Sequence, residues 1–172
     1  HRARISAAWV KLDQGEFGRD ELSDIESALR KAPENWQPRY HVLLARHERE
    51  YEGRPGDALR RLAPLLLGKE QLAAWRKADG ADTPAPRARR AAPPVSKPPP
   101  AYPPITAWKI DPARTDAACE AARAWADLDD PAQAIAIVDA FGQRYSDAPR
   151  AIAAECAGDL LLKNGRIGRA IQ

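Results

Sequence analysis

Methionine is absent from this chain, and phenylalanine and cysteine occur only twice each. Aromatic residues supply only 6% of the 172 positions, against 44% for all apolar types, so alanine carries much of the hydrophobic count. Alanine buries little area but has the best helix propensity. The composition therefore favours closely packed helices over a thick sheet core. No apolar run approaches the ~18 residues that a membrane-spanning helix needs. The start lacks the charged and apolar regions of a secretory signal. The expectation is a soluble domain, cytoplasmic or periplasmic, with the compartment left open. Alanine and arginine richness fits a GC-rich bacterial source.

Several chemistries lack their residues. There is no CxxC and no Cys/His cluster for a metal. His41 and His47 lie six apart on one predicted helix, whereas helical neighbours are three or four apart. His47-Glu48 lacks the second histidine of a zinc-protease helix. The acidic groups Asp20, Glu21, Asp24 and Asp127, Asp129, Asp130 stand at helix ends, where carboxylates cap and offset the dipole, and neither continues into an EF-hand spacing. No glycine-rich phosphate loop or nucleophile elbow occurs. The chain is read as non-catalytic, with no cofactor.

What is present is a repeated skeleton. Ala118-x2-Ala121-Ala122-x2-Trp125, followed by Ala134, recurs 36 residues later as Ala154-x2-Ala157-Gly158-x2-Leu161, followed by Ala170. Tyr40-x2-Leu43-Leu44-x2-His47 likewise follows Ile5-x2-Ala8-Trp9-x2-Leu12 by 35. Self-similarity at a period of ~20–50 residues marks stacked helical repeats.

Three stretches follow. Residues 1–77 read as two degenerate helical hairpins plus an extra helix. The first helix carries Ile5, Ala8, Trp9 and Leu12, and Gly15 and Gly18 mark the turn after it. The second carries Leu22, Ile25, Ala28 and Leu29, with Asp20 as its expected N-cap. Pro64 should kink or restart the helix that opens at Ala58, since an interior proline costs ~3 kcal/mol.

Residues 78–114 hold ten of the 16 prolines, a density that favours extended polyproline II. From Arg76 to Arg114 there are eight Lys or Arg against three Asp or Glu, so the chain's +3 charge sits here. If ordered, the linker should lie against a lobe or within a multi-subunit complex, through Tyr102 and Trp108. Pro99-Pro100-Ala101-Tyr102 matches a WW-domain ligand and Lys97-x2-Pro100-x2-Pro103 an SH3 ligand, but a spacer is the preferred reading.

Residues 115–172 read as a second lobe. Thr115 or Asp116 caps its first helix, Asp130-Pro131 opens the next, and Ala134, Ile135, Val138 and Phe141 form the inward stripe. A last helix opening near Arg166 stops at Gln172, and the chain starts at His1, so a segment of a longer protein is expected. Cys119 and Cys156 are read as two small buried thiols. Neighbouring helix axes run ~8–10 Å apart, and a disulfide wants alpha carbons within ~7 Å.

Over residues 115–172 the pattern resembles the tetratricopeptide repeat, a helix-turn-helix unit of about 34 residues. The likeness rests on Ala121-Ala122 and Ala157-Gly158 at the helix crossing, Trp125 and Leu161 at the large core position, Ala134 and Ala170 in the second helix, and Pro149 at a repeat end. The first lobe carries it more loosely, with Trp9 and Leu44 at the small position and His47 at the large one. The resemblance implies an all-α solenoid whose concave face, lined by first helices, binds proteins or peptides. His41, Arg49, Arg123, Asp127, Glu155, Asp159 and Lys163 are the candidate partner-binding residues. They include no asparagine, so a lysine–asparagine carboxylate clamp is not supported.

The leading expectation is a protein–protein interaction scaffold of helical repeats in two lobes joined by a Pro-rich linker. One alternative is an adaptor to nucleic acid or a membrane surface through Arg87, Arg89 and Arg90, with specific nucleic-acid binding disfavoured by the absence of stacking aromatics. Another is the accessory domain of an enzyme.

Overall fold

The computed structural model describes residues 1–80, 98–102, 114–144, 154–156 and 158–160. Among these residues the regular structure is helical, with no strand. The helices are α1 (Arg2–Gln14), α2 (Arg19–Arg30), α3 (Gln37–Glu50), α4 (Pro55–Leu66), α5 (Lys69–Asp79), α6 (Thr115–Asp127) and α7 (Pro131–Arg144). Residues 154–156 and 158–160 are also helical.

Local sequence explains most boundaries. Gly15 ends α1 in the left-handed conformation at φ 74°, where a Cβ would be strained. Asp130 starts α7: its Oδ1 accepts the Gln133 backbone N–H at 3.1 Å, and Pro131 occupies the first helical position. Three boundary expectations need correction. The N-cap of α2 is Gly18, with Asp20 inside the first turn, and the Glu21 carboxylate reaches back to accept the Gly18 N–H at 3.1 Å. Neither Thr115 nor Asp116 caps α6, which opens directly after Arg114. Pro64 does not restart the helix, since α4 runs on through it to Leu66. The break falls three residues later, at Leu67, whose ψ of 146° is extended.

Packing is closest within the later pairs, whereas α1 and α2 meet chiefly through their common neighbour α3. α3 pairs with α4, and α6 with α7. The second helix of one pair rests on the first helix of the next (α2 on α3, α4 on α6), and first helices lie side by side (α1 on α3, α3 on α6). α5 packs on α4, tied by the Arg60 guanidinium to both oxygens of Asp79 at 2.8 and 2.9 Å.

Two buried clusters result, and they meet inside α3. Tyr40, Leu43 and Leu44 face Ile5, Ala8, Leu12, Phe17, Ile25 and Ala28 of the first pair. Val42 and Ala45 belong to the second cluster, which joins α4, α5, α6 and α7. The stretches on either side of the Pro-rich segment therefore share one interior. His47 lies buried between Phe17 and Tyr51, and burial lowers its pKa. In α7 the most buried apolar side chains are Ala134, Ile137 and Val138, with Ile135 only half-buried. Phe141's side chain lies outside what is described.

α6 is the innermost helix. Nine of its 13 residues are buried, among them Ala117, Ala118, Ala121, Ala122 and Ala124. Methyl-sized side chains on several faces let α3, α4 and α7 all approach its backbone. A helix apolar all round must be enclosed, whereas a single stripe serves a surface helix.

Tyr102 closes this cluster from the linker. Its ring sits edge-on between Trp75 and Trp125 at 5.6 and 5.7 Å. Its hydroxyl donates to the Leu59 carbonyl at 2.5 Å, and the Trp75 indole N–H donates to the Pro100 carbonyl at 2.9 Å. Burial raises the Tyr102 pKa well above the ordinary phenol value. Replacing Tyr102 by Ala should lower the unfolding free energy by about 3–5 kcal/mol, as other large aromatic truncations do. Tyr102→Phe should cost about 1 kcal/mol. Urea denaturation checks both, and equal small losses would mean that the tyrosine does not plug the core.

Candidate functional site

The first helices of successive pairs border an open cavity of about 300 Å³. Its lining comes from Trp9 of α1, Val42 of α3, four positions of α6 (Asp116, Cys119, Glu120, Arg123), and Glu155 with Cys156 beyond α7. Spacings of three and four residues place the four α6 side chains on one face. Trp9 and Val42 supply an apolar wall.

The wall continues outward along α1 and α3. Arg46 lies over the Trp9 ring at 5.1 Å and pairs with Asp13 at 2.7 Å and Glu50 at 2.9 Å. Deeper, Arg49 donates to Glu120 at 2.6 Å and to Asp127 at 3.0 Å, and pairs with Glu50 at 2.7 Å. The Arg49 and Glu120 side chains are only 5% and 2% exposed. Burial works against the Arg49 charge, but Glu120 and then Asp127 outweigh it and hold its pKa above the ordinary value. Arg123 makes longer pairs, 3.7 Å to Glu120 and 3.6 Å to Asp159. All three arginines are thus shared between carboxylates. Asp116 and Glu155, both exposed on the cavity lining, have no ion-pair partner among the described residues.

The sequence-derived candidates divide. Arg123 and Glu155 line the cavity and Asp159 pairs with Arg123, whereas Asp127 is not on the lining and pairs with Arg49. Arg49 itself is not a solvent-facing contact residue, because Glu120 draws it into the α3–α6 interface. His41 is half-buried away from the cavity, its pKa lowered by burial and by Arg61. Lys163 and Trp108 lie outside the described residues, as do Arg87, Arg89 and Arg90. Tyr102 is buried, so Pro99–Tyr102 does not present the tyrosine that a WW domain would read.

Sequence reasoning missed Trp9, Val42, Asp116, Cys119, Glu120 and Cys156 as lining residues. Asp116, Cys119 and Glu120 were within reach, since stepping back from Arg123 by helical intervals lands on them. Trp9 and Val42 carried no such signal.

Chemically, the cavity offers carboxylates, one shared guanidinium, an apolar wall and two thiols. Among the described residues no group of three His, Cys, Asp or Glu side chains is placed to hold a metal ion. None of their helices is long and apolar enough to cross a membrane. No family model, curated protein or solved structure matches the chain. The functional case rests on geometry.

The buried ion pair should dominate the stability of the α3–α6 contact. Removing one partner strands a buried charge, and Arg49→Met or Glu120→Leu alone should cost about 3–5 kcal/mol. Arg49→Met combined with Glu120→Leu should recover most of that loss, because neither charge then stays buried. Additive losses in a denaturation cycle would show that the two residues act independently.

Proposed function

We propose that the chain is a non-catalytic interaction module of tetratricopeptide-like helical repeats, and that it holds a basic segment of a partner protein in the first-helix cavity. Two features support the repeat reading. One is the recurring 35- and 36-residue skeleton. The other is the packing order, in which first helices lie side by side and each second helix rests on the next first helix. Stacked helical units of this kind present extended concave binding surfaces.

The polarity of the partner follows from charge. The observation that carries it is the pair of exposed carboxylates, Asp116 and Glu155, which have no ion-pair partner among the described residues and lie on the lining of a cavity with an apolar wall. The nearby arginines are already shared among carboxylates, so a lysine or arginine side chain is the complementary guest, with its aliphatic stem against Trp9 and Val42.

A panel of synthetic Lys/Arg-rich peptides and their Asp/Glu-rich counterparts, read by fluorescence anisotropy, tests this. A basic peptide should bind, and the Asp116→Lys, Glu155→Lys double variant should weaken it by about tenfold or more. Amide exchange should slow in α6 and around Glu155. Failure of every basic peptide to bind, or unchanged affinity in the double variant, would overturn the reading. So would binding of acidic peptide or nucleic acid that maps to Arg87, Arg89 and Arg90, which would favour an adaptor working through the linker.

A further inference from the structure

The cavity floor carries two sulfurs whose placement a partner-binding role does not require. Cys119 of α6 and Cys156 beyond α7 are free thiols, both buried, and both on the cavity lining. The Cys156 thiol donates to the Cys119 carbonyl at 3.7 Å. Both residues therefore meet at the same wall of the cavity, the Cys156 sulfur against the backbone that carries Cys119. Helix spacing alone argued against a bridge, yet the Cys156 side chain spans the gap to the backbone of Cys119. Arg123 lines the same cavity, four residues on from Cys119 along α6, and supplies the local positive charge. The Cys156 sulfur against the Cys119 carbonyl, an open cavity that admits a small oxidant, and a guanidinium on the same lining are brought together at one place. Core filling by two small residues would need none of them.

We propose that Cys119 and Cys156 form a peroxide-oxidisable dithiol, in which Cys156 reacts first and Cys119 resolves it to a disulfide. The oxidant is hydrogen peroxide or a small organic hydroperoxide, which fits a cavity of about 300 Å³. The Cys156 thiolate attacks the terminal peroxide oxygen. An S–O bond forms as the O–O bond breaks, the sulfur gives up two electrons, and the peroxide leaves as water or an alcohol carrying the Cys156 proton. The Cys119 sulfur then displaces the hydroxyl of the sulfenic acid. The S–S bond forms, and the hydroxyl departs as water with the Cys119 proton.

Environment separates the two roles. A hydrogen bond from Cys119 lowers the Cys156 pKa, burial opposes it, and Arg123 assists. Glu120 and Asp159, the facing carboxylates, act against Arg123 without reversing its help. The Cys119 pKa is pushed up by the same hydrogen bond and by burial. Thiolate character makes the nucleophile, and a neighbouring thiol makes the oxidation reversible. The bridge would lock α6 to the helical stretch around Cys156 and so set the width of the cavity floor.

The test treats the reduced full chain with hydrogen peroxide and follows intact mass and maleimide-reactive thiols after denaturation. Wild type should lose both thiols to one intramolecular disulfide and regain them with dithiothreitol. Cys119→Ala should stop at a sulfenic acid on Cys156 that dimedone traps. Cys156→Ala should oxidise about tenfold more slowly, and Arg123→Gln, which keeps both thiols, about threefold more slowly than wild type. Circular dichroism confirms helicity. If a cysteine variant loses its fold, the wild-type mass and the Arg123→Gln rate decide alone. Thiols that stay reduced where the urea-unfolded chain oxidises, disulfides formed only between chains, or an Arg123→Gln rate equal to wild type would each overturn the proposal.

Discussion

The Arg49–Glu120 pair, buried between α3 and α6, is the interaction on which the rest of the arrangement leans. The two residues lie 71 positions apart, on opposite sides of the Pro-rich segment, and meet at 2.6 Å with almost no solvent on either side chain. Two charges so placed are tolerable only if each finds the other, so one register between α3 and α6 is strongly preferred. Alanines at 117, 118, 121, 122 and 124 bring the backbones near enough for that pairing. The same rotation of α6 that buries Glu120 turns Asp116 and Arg123 to the open side. The cavity is therefore a by-product of how the ion pair sets the helix.

A second consequence concerns where the molecule divides. Composition suggests a boundary at the prolines, but burial puts the seam inside α3, whose alternate faces serve two clusters. Tyr102 strengthens the join by standing between Trp75 and Trp125 and bonding to the Leu59 carbonyl. Pro98–Tyr102 thus acts partly as a strap across α4, α5 and α6. Its apolar anchor offsets the entropy of ordering a short extended stretch.

Much of this was legible in the residues. Helical periodicity placed Ile5, Ala8 and Leu12 on one buried face, and Asp130-Pro131 marked a helix start that the backbone adopts. Alanine richness pointed to closely packed helices, and α6 with its buried alanines is such a helix. What stayed hidden depended on distant partners. Nothing within α3 says that Arg49 will be buried, because its counter-charge lies on α6. The break expected at Pro64 falls at Leu67 instead, where the backbone turns extended. Glu21 capped Gly18 from three residues on, so the nearer Asp20 drew attention instead. The 35- and 36-residue skeleton pointed to repeats, while the site needed the side-by-side placement of helices that no local pattern encodes.

The central claim is that residues on both sides of the Pro-rich segment form one cooperative body through α6. Native-state hydrogen exchange addresses it directly, because amide protection reports the free energy of the opening that exposes each helix. The slowest amides of α3, α4 and α6 should exchange with one shared opening free energy, equal to that of global unfolding. If α6 and α7 instead open together at markedly lower free energy while α3 and α4 stay protected, the two sides are separate units and the account fails.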